Sequence, residues 1–416
     1  MFDQSFNSPN LSRLLEKRDF LKDSQLKNDT YKANLIKNSS EFVKYGIFTE
    51  DIFKTKKIKN KPVYELIGVD KNLALRKANE NIKKIYNVKQ NDRDFMIKQL
   101  KVAVSEGIDF SLYKLDIKQF YESFNQLSII SEIENNKIVS YDTKLFVLNL
   151  IKSYSKISRI GLPRGLSISA TLSEIMMINF DLAVRSHNCV YYYFRFVDDI
   201  IIITNKNEGQ QFNKELSRML PKGLVFHNDK SEKKQKISLN KATPQECEII
   251  SGEFNYLGYN FKIFNPLKND KKNADGFRCV YLDISNNKVK KIKSRILRSL
   301  INFLSNNDFK LLSDRVKFLT SNFKLKDKRT EIDVMSGIFF NYKRVNYEQS
   351  KNLKILDDFL YYCISTNNVC GKNLNLSSNQ KRTLFKYSFQ RGFKMKKQIN
   401  LTPSRQILIQ RTWIDV

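Results

Sequence analysis

Apolar positions recur at helical spacing along much of this chain. Leu73, Leu75, Ala78, Ile82 and Ile85 predict a helix over Leu73–Tyr86, and Ile97, Leu100 and Val104 give one apolar face to a second helix over Arg93–Glu106. A short helix over Leu11–Leu21 stands in a polar, Lys-rich start, so residues 1–60 read as an N-terminal extension. The period then changes. Tyr113–Ile117 is a short apolar run broken by Lys114 and Asp116, the pattern of a strand, and Phe120–Leu127 turns into a helix. Lys144–Tyr154 and Ala170–Val184 read as helices. Between them and Lys206 comes YYYFRFVDDIIIIT, two β-prone runs joined at Asp198-Asp199, which predicts a hairpin. Past Phe261 the pattern is largely helical, with Val289, Ile292, Ile296, Leu297, Leu300 and Leu304 in one stripe among Lys288, Lys291, Lys293, Arg295 and Arg298. The fold class is therefore α+β: a mixed core over residues 61–265 and a basic α-helical domain over residues 266–416.

Charge changes that picture from architecture to partner. The chain has 73 Lys plus Arg against 43 Asp plus Glu, a net +30, and residues 271–416 alone carry +19. A field of that size attracts polyanions, of which nucleic acid is the commonest in a cytoplasm; a merely solvated Lys- and Asn-rich surface is the bland alternative. No run of about 18 apolar residues suggests a membrane span, and the start lacks the basic-then-apolar layout of a signal peptide, so a cytoplasmic protein without membrane attachment is expected. Five cysteines without a C-x-x-C pair, and only two histidines, argue against a disulfide framework or a zinc cluster.

The chemistry starts from carboxylates in apolar surroundings. Asp198 and Asp199 sit in the most apolar, β-branched segment of the chain, where adjacent like charges lose hydration and repel. Alone, the pair reads first as an ordinary polar turn. Asp116, in YKLDIKQFYESF, has the same anomaly at the end of a strand, and if that strand lies beside the hairpin the three carboxylates converge, enough oxygen ligands for one or two Mg2+ ions. Two such ions would hold the attacking and leaving oxygens of a phosphoryl transfer. Between the carboxylates, GLPRGLSISATLSE brackets a Pro-Arg turn with Gly161 and Gly165; the glycines permit close approach of a base or phosphate, and Arg164 offers a cation. A helix-entry turn explains it as well.

Taken in order, LDIKQFYESF, GLPRGLSISATLSE, RFVDD, HNDKSEK and FNYLGY resemble the palm motifs of reverse transcriptases, over about residues 90–265. DIKQFYES, LPRGLSISATLSE and RFVDDIII look most like the bacterial defence-associated (abortive-infection and unknown-group) reverse transcriptases. RVKFLTSNF followed by SGIFFNY resembles the smaller enzyme of the class 3 defence system that pairs two reverse transcriptases. The resemblance implies a right-hand polymerase: fingers and palm over residues 61–265 and a thumb-like domain over 266–416. It implies Asp116, Asp198 and Asp199 as the ligands of two Mg2+ ions, with the Ile117 carbonyl as a further ligand. Tyr121 would be the gate against a ribose 2′-hydroxyl, with Phe120 beside it facing the core. Arg164, standing where many relatives have glutamine, and Gly165 would meet the nucleotide. Lys230 would protonate the departing pyrophosphate, and Leu257-Gly258 would grip the primer. Lys59, Lys61, Arg76 and Lys77 are candidates to hold the triphosphate. No second carboxylate constellation suggests an RNase H domain.

Residues 381–397, KRTLFKYSFQRGFKMKK, add seven cations, Lys381, Arg382, Lys386, Arg391, Lys394, Lys396 and Lys397, with Phe385, Tyr387, Phe389 and Phe393 between them. Cations pair with phosphates and rings stack on bases, so the segment is a candidate RNA-binding surface; aromatics packed inward beneath wet lysines would look the same. Together these features predict an RNA-directed DNA polymerase that copies a dedicated non-coding RNA into DNA from deoxynucleotides in antiphage defence, alone, as a homo-oligomer, or with a second reverse transcriptase. Template-independent or protein-primed synthesis and an inactive RNA-binding scaffold are the alternatives.

Overall fold

The computed structural model describes residues 2–46, 48–58, 61–89, 91–209, 211–228, 231–268, 276–326, 333–369 and 371–413. Two expected functional residues, Lys59 and Lys230, lie outside them. The chain divides into two compact units, residues 1–91 with 111–236, and residues 92–110 with 237–416.

Strand Phe110–Asp116, which belongs to the first unit from Ser111 onward, is buried at every position but Lys114. It pairs antiparallel with Asp199–Thr204 in a register running from Ser111 opposite Thr204 to Asp116 opposite Asp199. Val190–Phe196 pairs with the other edge of that middle strand, and Phe196 opposite Asp199 leaves a two-residue turn, Val197-Asp198. The hairpin thus turns one residue earlier than its sequence suggests. Ile200 to Ile203 are all buried, which demands cover on both faces. The Val69–Ile85, Tyr141–Ile157 and Ser167–Arg185 helices join the core through Leu73, Ala78, Ile82, Phe146, Leu150, Leu172 and Phe180. Each of the larger side chains among these contributes about 1.5–3 kcal/mol by leaving water.

Residues 1–60 share this core through Leu11, Leu26, Leu35, Ile36 and Val43. The expected Leu11–Leu21 helix is two, Ser8–Ser12 and Lys17–Lys22, the second opened by a capping box between Glu16 and Asp19. The expected Phe120–Leu127 helix also breaks: Phe120–Ser123 ends, and Gln126–Asn135 begins where the Asn125 side chain accepts the Ser128 N–H at 3.0 Å. Contrary to the expectation from sequence, Ser167–Arg185 is long and apolar enough by composition to cross a membrane. Half of its apolar window is buried in the protein, and its Glu174 and Asp181 pair with Arg195, the signature of a core helix.

The second unit is less helical than the sequence suggests. Ile250–Tyr256, Tyr259–Phe264 and Cys279–Ile284 form an antiparallel sheet. Asn322–Lys326 pairs antiparallel with Asp333–Gly337 and parallel with Gln398–Ile399. The expected basic amphipathic helix is Asn286–Asn306, which buries Val289, Ile292, Ile296, Leu300 and Phe303, with Leu297 and Leu304 only half-buried.

Candidate active site

Cross-strand neighbours share a sheet face, so the register that sets Asp116 opposite Asp199 also turns their carboxylates to one side. Asp198 follows Val197, whose φ of 59° lies in the left-handed region. A β-branched residue there costs on the order of 1–3 kcal/mol and persists only when its surroundings over-determine it. Arg195 supplies that constraint. Its guanidinium is buried and donates to the Val197 carbonyl at 3.1 Å. It also forks onto Glu174 (3.1 and 2.7 Å) and Asp181 (2.8 and 2.7 Å) of the Ser167–Arg185 helix. Tyr193 donates to Asp181 at 2.6 Å, Asn91 donates to the Arg195 carbonyl at 3.1 Å, and the Ile117 N–H donates to the Asp198 carbonyl at 3.2 Å. These bonds tie the turn to both a helix and the inner strand.

The electrostatics follow from this crowding. Burial first, then Asp198 and Asp116, push the Asp199 carboxyl up to about 6, outweighing Lys114 and Lys233. Asp198 is raised for the same reasons, burial before Asp116. The Asp116 Oδ1 lies 2.9 Å from Lys233 Nζ and 3.1 Å from His227 Nε2, on a loop brought in by the Asp116–His227 and Lys118–Val225 backbone bonds. Among the described residues no three His, Cys, Asp or Glu side chains are drawn into a ready-made metal cage. Like charges account for that, since Asp116 turns to Lys233 and His227 while Asp198 and Asp199 are left at a potential that favours added positive charge. An all-oxygen set in which Asp198 and Asp199 are both raised fits a hard divalent cation.

Beside the carboxylates the Gly-bracketed loop is stitched to two other segments. Gly161 and Leu162 N–H groups donate to the Phe124 and Tyr121 carbonyls at 2.8 and 2.7 Å, and Tyr64 N–H donates to the Arg164 carbonyl at 2.7 Å. At Gly165, φ is 103° and a Cβ would lie 2.5 Å from Val63 Cγ1, so only glycine fits. Arg164 pairs with Glu122 at 2.8 Å, and its guanidinium centre is 5.7 Å from the Tyr121 ring centroid. Arg164 Nε and Glu122 Oε2 are buried without hydrogen-bond partners among the described residues. Tyr121 is half-buried, its hydroxyl held above the usual range by burial and then by Glu174 and Asp198. Phe120 is only 3% exposed and packs edge-on against Tyr121 and Phe124. It backs Tyr121 from the core and offers no face to a nucleotide.

Two triphosphate candidates are corrected. Arg76 is forked onto Asp19 at 2.6 and 2.8 Å, and Lys77 is wholly buried, donating to the Asp3 carbonyl at 2.8 Å. Both hold the N-terminal segment. Lys61 alone of the described candidates stands near the loop, 3.6 Å from Glu122 and about half exposed.

In the second unit, Leu257 (φ 46°) and Gly258 (φ 86°) form the two-residue turn between Tyr256 and Tyr259. Arg93 donates to the Leu257 carbonyl at 3.0 and 2.6 Å and to the Asn341 carbonyl at 3.1 Å, and stacks over Tyr259. Sequence reasoning missed Arg93, because carbonyl acceptors leave no trace in a sequence. The basic C-terminal segment is two short helices, Ser378–Phe385 and Phe389–Lys394. Phe389 and Phe393 are core residues and are closed to stacking on bases, whereas Phe385 is 41% exposed. Arg382, Lys386, Arg391, Lys394, Lys396 and Lys397 are exposed and Lys381 is half-buried. Lys394 and Lys396 lie over the Tyr347 and Phe339 rings.

Residues 70–261 match the family model described as reverse transcriptase (RNA-dependent DNA polymerase). No curated protein matches the chain.

Proposed function

We propose that the chain, whose residues 70–261 match the reverse transcriptase model, is an RNA-directed DNA polymerase, a nucleotidyltransferase, that copies a dedicated non-coding RNA, retained by its basic C-terminal region, into DNA as part of antiphage defence. The observation that carries this reading is the register pairing of Asp116 with Asp199, with Asp198 on the strained turn beside them. Asp116, Asp198 and Asp199 would hold two Mg2+ ions, with the Ile117 carbonyl as a further candidate ligand. When bound, the ions lower the pKa of the attacking hydroxyl and stabilise charge on the leaving pyrophosphate. The protein's own groups do the rest. Arg164, released from Glu122, would meet the incoming nucleotide over the Tyr121 ring, and Tyr121 would crowd a 2′-hydroxyl. Gly165 keeps the loop free of a side chain, Lys230 would give its proton to the leaving group, and Leu257-Gly258 would hold the primer end.

Residues 61–265 would serve as fingers and palm, 1–60 as their extension and 266–416 as a thumb-like domain. The defence role rests on the likeness of DIKQFYES, LPRGLSISATLSE and RFVDDIII to the defence-associated group, and with it a cytoplasmic setting and a second reverse transcriptase, or a second copy of this chain, as partner. Purified protein with its co-purifying RNA, Mg2+ and labelled deoxynucleotides should make DNA. Asp198→Ala should abolish the product, and product from that variant would sink the assignment of the carboxylates. Sequencing the bound RNA with the DNA identifies the template.

The exposed cations of residues 381–397 give a separate expectation. Replacing Arg382, Lys386, Arg391 and Lys397 with Gln should lower RNA retention and flatten its salt dependence by about 0.7–0.9 for each phosphate no longer neutralised. Extension of a supplied template-primer should survive. Unchanged RNA retention across a salt series would remove the segment from the RNA-binding surface.

A further inference from the structure

Two rings in the second unit stand in solvent against each other. Tyr361, on the Lys351–Ser365 helix, is 62% exposed, and Phe385, at the end of the Ser378–Phe385 helix, is 41% exposed. Their centroids are 5.0 Å apart with the planes tilted by 34°, so the contact covers one side of each ring at most. Tyr362 beside them is 65% exposed. Single exposed apolar side chains are ordinary, but rings that touch one another in water form a patch, and such patches mark binding surfaces. The core face of the first helix is taken by Leu353, Leu356, Leu360, Cys363 and Ile364, which leaves the two tyrosines outside it. Asp357 of the same helix fixes the chain just past Phe385. It accepts the Ser388 hydroxyl at 2.7 Å and the Phe389 and Gln390 N–H groups at 2.5 and 3.1 Å. The rings are therefore positioned before any partner arrives, which spares it the cost of ordering them.

Charge selects the partner. Residues 351–397 hold ten Lys or Arg against two acids. Of the acids, Asp357 is spent on those three bonds, and Asp358 alone is exposed. Arg382 precedes Phe385 by three positions, on its side of the helix, and Lys386 follows it. Both are exposed and make no ion pair among the described residues. We propose that Tyr361 and Phe385 form a stacking platform for one unpaired base of a single-stranded RNA, with the flanking phosphates on Arg382 and Lys386. The cations call for a polyanion, and the open rings call for a base whose own face is free, which a duplex hides within its stack. The choice of RNA over single-stranded DNA rests on the reading that this region retains the template RNA, since an aromatic face takes any base.

Full-length protein irradiated with a 12-nucleotide single-stranded RNA carrying 5-iodouridine, then digested and sequenced by mass spectrometry, should carry crosslinks on Tyr361, Tyr362 or Phe385. In filter binding, Tyr361→Ala should hold the same strand roughly fivefold or more weakly, with an unchanged salt slope, because stacking releases no counterions. Tyr361→Phe keeps the ring and should bind as wild type does. Paired Arg382→Gln and Lys386→Gln should lower both affinity and slope. Annealed to its complement, the RNA should not distinguish Tyr361→Ala from wild type. Crosslinks confined to other residues, or wild-type binding of the single strand by Tyr361→Ala, overturn the proposal. So does tighter, Tyr361-dependent binding of the DNA strand of the same sequence, or a co-purifying protein lost from Tyr361→Ala while RNA binding stays intact. Should Tyr361→Ala not fold, the crosslink map of wild type decides. Primer extension on a supplied template-primer separates the two readings: DNA made without crosslinks at these rings defeats the platform alone, and crosslinks without DNA synthesis defeat the polymerase reading alone.

Discussion

Asp199→Asn should abolish DNA synthesis and at the same time make the metal-free protein more stable at neutral pH. In the folded chain the Asp199 carboxyl titrates near 6, against about 3.9 for an unperturbed aspartate. Folding therefore favours its protonated form, and its contribution is full below about pH 4 and lost as pH rises through about 6. Two units correspond to roughly 3 kcal/mol at most, and residual exposure reduces that to on the order of 1–3 kcal/mol. Asparagine keeps the shape and removes the charge. Thermal melts without metal should place the variant a few degrees above wild type at pH 7.5, with the difference fading by pH 4.5. Primer extension in Mg2+ should fall at least about a thousandfold, because a ligand to the ions carries several kcal/mol of transition-state stabilisation. A variant that melts lower than wild type at pH 7.5 would mean that the carboxylate is already compensated, and the cation-seeking character of the site would go with it.

The legible parts of this molecule are those whose signals are local. The hairpin is readable because YYYFRF and IIIIT are dense in aromatic and β-branched residues, and Asp116 stands out because a charge ending an apolar run is anomalous. Positions set by distant partners are not readable. Glu174 and Asp181 lie 21 and 14 residues before Arg195, and nothing in RFVDD says that its arginine faces inward. Lys233 falls in HNDKSEK, yet only the fold shows that it, with His227, meets Asp116. The Cys279–Ile284 strand hides in a helical region because it is six residues long and flanked by a basic helix; its alternation of Val280, Leu282 and Ile284 gains meaning only once Tyr259–Phe264 pairs with it. Phe389 and Phe393 have the spacing of either a core or a binding face, and packing alone decides between them.

Arg195→Lys should cost more activity than stability, because the guanidinium shapes the turn that carries Asp198. Lysine keeps the charge facing Glu174 and Asp181 but cannot fork onto both carboxylates and still reach the Val197 carbonyl. The lost hydrogen bonds amount to about 2–4 kcal/mol of stability. Arg195→Met would instead strand two carboxylates and cost about 3–5 kcal/mol, which risks the fold and makes it the weaker test. With the anchor gone, Val197 is free to leave the left-handed region, and relief of that strain moves Asp198 relative to Asp116 and Asp199. Displacements of about 1 Å near reacting groups cost on the order of a hundredfold. Primer extension by Arg195→Lys, at a temperature where it is fully folded, should therefore show kcat down about a hundredfold with KM for deoxynucleotide little changed. A purely structural role would instead give a lowered Tm with kcat near wild type. Glu174→Gln, which keeps one hydrogen bond to Arg195 while removing the charge, should recover most of the kcat that Glu174→Ala loses. If both Glu174 variants match wild type in kcat, Asp181 and the Val197 carbonyl alone suffice to hold the turn.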